Sequence, residues 1–208
     1  LPAALQLAVT SFSNVFVQSY INRFGSDCMA GWTSYNKIDA FALLPITSIS
    51  MAATTFVGQN LGAGDPVRAR QGTRTALWLS EAATAIILVP LMIFAPQLIR
   101  LFNQEPDVCA YGTLFIRLSS PFYLLITVNQ VISGALRGAG DSLIPTIMTL
   151  TGVCLLRLFW VMVIVPAHHE LNVLLLSYPI TWIVTSAMFV VYYLRGNWLK
   201  RCIKAQGE

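Results

Sequence analysis

Six apolar blocks dominate the chain, at residues 2–21, 30–57, 75–99, 111–133, 143–165 and 173–194. Each is at least as long as the ~20 residues that carry a helix across a hydrocarbon core. Nothing else in the sequence limits the fold as strongly. Backbone amides in lipid have no water to bond, so a spanning segment must satisfy them internally. A lone strand cannot do this, and barrel strands alternate in polarity over only about ten residues. The uninterrupted blocks therefore predict an all-α fold, an integral membrane bundle of six transmembrane helices forming one unit over residues 1–208. The low charge content agrees, at 11% Asp, Glu, Lys and Arg against about 25% in soluble domains.

The basic residues are distributed as topology signals. Arg68, Arg70 and Arg74 follow the second block, Arg137 the fourth, and Arg195, Lys200, Arg201 and Lys204 the sixth, while the opposite side holds Arg23 and Arg100. The positive-inside rule then predicts a multi-pass protein of a cell (inner or plasma) membrane, with both termini cytoplasmic. The net charge of +4 does not point to nucleic acid, because an apolar block rather than a base-reading helix follows Arg74 at once. Cys28, Cys109, Cys154 and Cys202 show neither CxxC nor metal-ligand spacing and read as free thiols, with a Cys28–Cys109 bridge near the outer face as the alternative. The chain opens on Leu1-Pro2, without an initiator Met or a cleavable leader pattern, so it is expected to be part of a longer protein.

The loops after blocks two and four echo each other: Leu61-Gly62-Ala63-Gly64-Asp65 is answered by Arg137-Gly138-Ala139-Gly140-Asp141. A glycine in the left-handed region ends one helix and the aspartate caps the next. Pro66 suits a first helical position, and Pro145 falls within the first turn. Prolines 45, 90, 121 and 179 lie inside apolar blocks, where each removes a backbone hydrogen bond and bends its helix.

These loops carry a resemblance. The run from Val57 through Gly58, Gln59, Asn60, Gly62 and Asp65 to Arg68 and Arg70 resembles a signature of the multidrug and toxic compound extrusion (MATE) family. The run Gly134-Ala135-Leu136-Arg137-Gly138-Ala139-Gly140-Asp141 is similar to the segment between the fourth and fifth spans of that family's C-terminal half. Span order, loop lengths and the basic tail agree over essentially the whole chain. The resemblance implies the C-terminal six-helix lobe of a twelve-helix, pseudo-symmetric secondary exporter working by alternating access. Its partners would be membrane lipid, an N-terminal six-helix lobe of the same polypeptide, and small organic, cationic substrates such as drugs. One branch of the family carries a Glu in the first span and an Asp in the fourth span of this lobe, whereas this chain has Thr10 and Ile126 near those positions. No cofactor is expected, and the coupling ion, H+ or Na+, is expected to bind in the N-terminal lobe.

Polar groups inside the blocks are the candidates for lining a substrate cavity. Gln6, Thr10, Asn14 and Gln18 recur every four residues and form one drifting stripe, which either lines a cavity or bonds a neighbouring helix. Asn129 and Gln130 carry the same two readings. Arg157 lies near the middle of block five with Trp160 one turn on. It must pair with Asp39, Glu81 or a carbonyl, either as an interhelical ion pair or in a substrate or gating role. Lys37 and Asp39 read as an interfacial pair or snorkelling group, with cavity-facing charge as the sharper alternative. Glu81 and Arg117, nearer helix ends, read as structural pairs. Tyr35, Phe41, Trp160 and Trp182 are aromatics of a kind that stacks on a flat cation or belongs to an interfacial belt.

Other chemistries fail on context. The glycine loops follow no strand and lack the Lys-Ser/Thr of a phosphate loop, and His168-His169-Glu170 sits in an outer loop without further metal ligands. No catalytic constellation is present, so an enzyme is not expected. The alternatives to an exporter are a lipid-linked oligosaccharide flippase of the same superfamily, which calls for a more cationic cavity than Arg157 and Lys37 provide, and a non-transporting scaffold subunit.

Overall fold

The computed structural model describes residues 2–168 and 170–195. They form α1 (Pro2–Ile21), α2 (Ser26–Gly62), α3 (Pro66–Ile93), the short α4 (Ala95–Arg100), α5 (Pro106–Gly138), α6 (Leu143–His168) and α7 (Leu171–Arg195). Among the described residues, α2, α3, α5, α6 and α7 are long and apolar enough to cross a membrane. At 20 residues α1 has the length, but its polar stripe keeps it out of that group.

The surface identifies the solvent. Phe41, Trp78 and Ile86 are 71%, 75% and 73% exposed, while Ser80, Thr84, Thr127, Thr181 and Arg157 are buried. Water would favour the reverse, and lipid favours this arrangement, with apolar side chains outward and polar groups turned to one another. Hydroxyls accordingly join the helices. Thr84 and Thr127 bond at 3.0 Å between α3 and α5, and Ser186 of α7 donates to the Leu125 carbonyl of α5.

The two glycine loops have one geometry. The Asp65 amide donates to the Asn60 carbonyl and the Gly64 amide to the Leu61 carbonyl; the Asp141 amide donates to Leu136 and the Gly140 amide to Arg137. These are the paired bonds of a Schellman ending, and Gly64 and Gly140 occupy its left-handed position with φ of 76° and 89°. Asp65 Oδ1 then accepts from the Arg68 amide and Asp141 Oδ1 from the Ile144 amide. Asp141 also accepts from the Tyr192 hydroxyl at 3.0 Å, which ties the turn to α7.

Helices run past the apolar blocks that mark them. α2 begins at Ser26 and ends at Gly62, and α3 begins at Pro66, nine residues before the apolar block at 75. Hydropathy reports the length in lipid, whereas capping fixes the helix end. The third block also divides: α3 stops at Ile93, and α4 restarts at Ala95 with Pro96 in its first turn. Pro121 lies in a single 3-10 turn, Ser120–Phe122, inside α5. The prolines at 45, 90 and 179 stay within continuous helices.

The core has two parts. One gathers Trp32, Tyr35, Phe115, Tyr123, Tyr178 and Trp182 with Val17, Ile21 and Val161; the other gathers Val57, Leu61, Ile132, Leu136 and Phe189 near the glycine turns. α2 and α5 pack closely, because an added Cβ on Gly138 would lie 2.2 Å from the Thr54 carbonyl oxygen. An added Cβ on Gly134 would meet Ser50, so small residues at four-residue spacing let these backbones approach. Ser50 and Thr54 complete the seam by donating to the Gln130 and Gly134 carbonyls.

Candidate functional site

The sequence places polar groups on α1, α5, α6 and α7, and the packing brings them around one cleft of about 530 Å³. α1 supplies Gln6, Thr10 and Asn14, α2 supplies Leu43, and α5 supplies Ile126, Asn129, Gln130, Ser133 and Arg137. α6 adds Thr149, Val153 and Arg157, and α7 adds Tyr178, Trp182, Thr185 and Phe189. A second hollow of about 580 Å³, beside Arg100, Gln104 and Arg117, lies between α4 and the start of α5. It has fewer polar groups facing one another, and its charged lining residues, Arg100 and Arg117, are both exposed.

α1 is fastened to α6 by its stripe. Thr146 Oγ1 donates to Gln6 Oε1 at 3.5 Å, Thr10 Oγ1 lies 3.5 Å from Cys154 Sγ, and Arg157 Nη1 donates to Asn14 Oδ1 at 3.2 Å. Both readings of the stripe therefore apply to these three residues, which bond a neighbour and line the cleft. Gln18 is exposed and outside the cleft lining. Steps of four residues drift about 40° each around a helix, so by the third step the side chain has left the shared face.

Arg157 is 3% exposed. Its other terminal nitrogen donates to Thr181 Oγ1 at 3.5 Å, and its guanidinium carbon lies 4.1 Å from the centre of the Tyr178 ring. The expected pairing with Asp39, Glu81 or a carbonyl is not what forms: both side-chain partners are neutral. Asp39 is instead engaged by the hydroxyls of Tyr35 and Tyr123, inside the aromatic part of the core. Three buried polar atoms of cleft residues, Arg157 Nε, Asn129 Oδ1 and Ser133 Oγ, have no partner among the described residues.

A family model described as MatE matches residues 2–163. The chain belongs to that family. Among its MatE relatives is "Probable multidrug resistance protein YpnP" of Bacillus subtilis (strain 168), 27% identical over 198 residues, covering 95% of this chain and 44% of that protein. Another is named "FAD transporter", from Shewanella oneidensis, 28% identical over 127 residues, covering 55% of this chain and 28% of that protein. A solved multidrug resistance MATE family transporter in its outward-facing conformation superimposes with a TM-score of 0.87 at 16% identity, over 95% of this chain and 44% of that one. This last likeness is one of fold. The chain spans less than half the length of these relatives. It is thus a multi-pass membrane protein of a transporter family.

Within this MatE fold the remaining candidates take other places. Tyr35 is buried against Trp32, with ring centres 5.2 Å apart, and away from the cleft lining. Lys37 is exposed, with its Nζ 5.2 Å from the centre of the Phe102 ring, and forms no pair with Asp39. Trp160 donates to the Val173 carbonyl at 2.8 Å and serves the α6–α7 contact rather than the cleft. Gly58 faces the Gly138 carbonyl, Asn60 donates to the Phe56 carbonyl, and Gln59, Gly62 and Arg68 are exposed by the first turn. Arg137, read from sequence as a loop residue, also lines the cleft. Cys28, Cys109 and Cys154 are free thiols, so Cys28 and Cys109 do not bridge; Cys202 and His169 lie outside the described residues. The sequence reading missed Ser133, Tyr178, Thr185 and Phe189. The hydroxyls on α7 recur as Ser177, Thr181 and Thr185 at four-residue spacing, a signal masked by that helix's high apolar content.

Proposed function

We propose that this chain is one six-helix lobe of a twelve-helix exporter of small amphipathic molecules, driven by inward flow of H+ or Na+, and that the cleft is its share of a central substrate cavity. The single observation that carries this reading is the cleft itself. In a molecule that turns Phe41, Trp78 and Ile86 to lipid, amides, hydroxyls and two arginines converge on one open space of about 530 Å³. Polar groups at membrane depth persist where they face protein or a wet cavity. In this reading α1 is the sixth crossing segment, its stripe turned inward. The basic loops after α2 and α5 support cytoplasmic termini, and in this reading a facing half supplies the other wall about which the lobes rock. The multidrug resistance names among the relatives support an export role.

Coupling belongs to the facing half. Thr10 and Ile126 line the cleft without a titratable group, and Asp39 is committed to two tyrosine hydroxyls in the core. A cationic substrate would likewise take its counter-charge from the facing half, because the charged side chains on this wall are Arg137 and Arg157. That pair also supports a second reading, a flippase or carrier for a phosphorylated cargo, in line with the relative named as an FAD transporter. The first test is dye retention in cells that lack their own efflux pumps and express the natural polypeptide carrying this chain. Lower ethidium retention is expected, and Gln130→Trp or Val153→Trp, at half-buried positions of the lining, should abolish that effect at unchanged protein level by filling the cleft. Export that survives both substitutions places the route elsewhere.

A further inference from the structure

We infer that Arg157 is the anchor for an anionic group, a carboxylate or phosphate ester, on a substrate bound in the cleft; this rests on the reading of the cleft as a substrate cavity. A guanidinium offers five N–H donors in a planar fork, stays charged at any physiological pH and loses much hydration when buried. Arg157 is 3% exposed and lines the cleft, yet its hydrogen-bond partners are the neutral oxygens of Asn14 and Thr181. A buried charge of this kind is costly unless a counter-charge meets it. Among the described residues no counter-charge bonds it, and none of them partners its buried Nε.

The surroundings hold the fork in place and leave it unanswered. Tyr178 covers one face of the guanidinium at 4.1 Å. The residue sits on a short stretch of α helix, Leu156–Phe159, between two wide-turn segments, Leu150–Leu155 and Trp160–Ile164. Wide turns of this kind recur at functional sites because they re-aim a side chain without ending the helix. Arg137 lines the same cleft and adds a second positive charge, while no acidic side chain among the described residues lines it. Asn129 Oδ1 and Ser133 Oγ, buried and unpaired in the same lining, add an acceptor and a hydroxyl for the polar body of such a molecule. Trp182 and Tyr178 supply flat apolar surface beside them. The chemistry that fits is an amphipathic organic anion with one planar ring system.

The test uses the full natural polypeptide, purified in detergent, with probe pairs that differ only in the anionic group: riboflavin 5′-phosphate against riboflavin, and 2-naphthoate against 2-naphthamide. The anionic member of at least one pair should bind more tightly, and Arg157→Gln should cut that preference about thirtyfold. Arg157→Lys should keep part of it, which guards against a variant that merely fails to fold. Lys37→Ala removes a charge away from the cleft and should change nothing. Equal binding or no binding of both members in both pairs overturns the inference, as does a preference that survives Arg157→Gln. If Arg157→Gln abolishes export of neutral and anionic compounds alike without altering preference, the counter-charge is a carboxylate of the protein, and the inference also fails. Ethidium export measured in parallel separates the two levels. Export without anion preference removes this inference alone, whereas absence of export of every compound removes the cavity reading beneath it.

Discussion

At the residue scale, the glycines of the two loops divide into those that turn the chain and those that let helices touch. Gly138 belongs to the second group, since its Cβ position lies 2.2 Å from the Thr54 carbonyl oxygen, while Gly62 has nothing within 4 Å. Gly138→Ala should therefore lower stability by about 1–3 kcal/mol through enforced separation of α2 and α5. Gly62→Ala should be neutral or slightly stabilising. Melting in detergent distinguishes the two. The turn geometry was legible in the sequence because capping is local: Gly64, Gly140, Asp65 and Asp141 do what their side chains and φ preferences dictate. The contact of Gly138 with Thr54 was not, because the register between two helices is set by the whole bundle. Arg157 shows the same limit. Its burial follows from its position in an apolar block, but its choice of Asn14 and Thr181 over Asp39 depends on which helices face each other.

At the scale of the element, α1 carries its function as a stripe of finite length. Gln6, Thr10 and Asn14 face α6 and the cleft, while Gln18 has rotated away. Asn14→Leu should reduce export by about tenfold or more by removing an Arg157 partner at the cavity wall, whereas Gln18→Leu should leave export near its original level. Initial export rates at matched expression provide the check. At the start of α6, Asp141 both caps the helix and receives the Tyr192 hydroxyl. Asp141→Ala should cost about 1 kcal/mol or more, read by the same melting assay. The wide turns within α6 had no signature in the sequence, since an apolar run from Leu143 reads the same at any helical pitch.

At the scale of the whole molecule, the six apolar blocks were enough to give the fold class, because the bilayer leaves so few backbone solutions. They gave lengths in lipid rather than helix ends, and they could not reveal the cleft. Four bundled helices besides α1 contribute to it, and two of its arginines stand in different sequence contexts, one in a loop motif and one at mid-block. The basic loops predict the sidedness: a single cysteine at Ala63, exposed in the first turn, should react with an impermeant maleimide from the face opposite to one at the exposed Gln104. As a substrate cavity, the cleft must open to water during transport. A single cysteine at Val153, a half-buried residue of the cleft lining, in a background lacking the native cysteines, is labelled with an impermeant maleimide in membranes containing the full transporter. Labelling should occur and should be slowed by an exported compound. A cysteine at Val153 that is unreactive from both faces, or labelled at the same rate with every exported compound present, rules the cleft out as the substrate path.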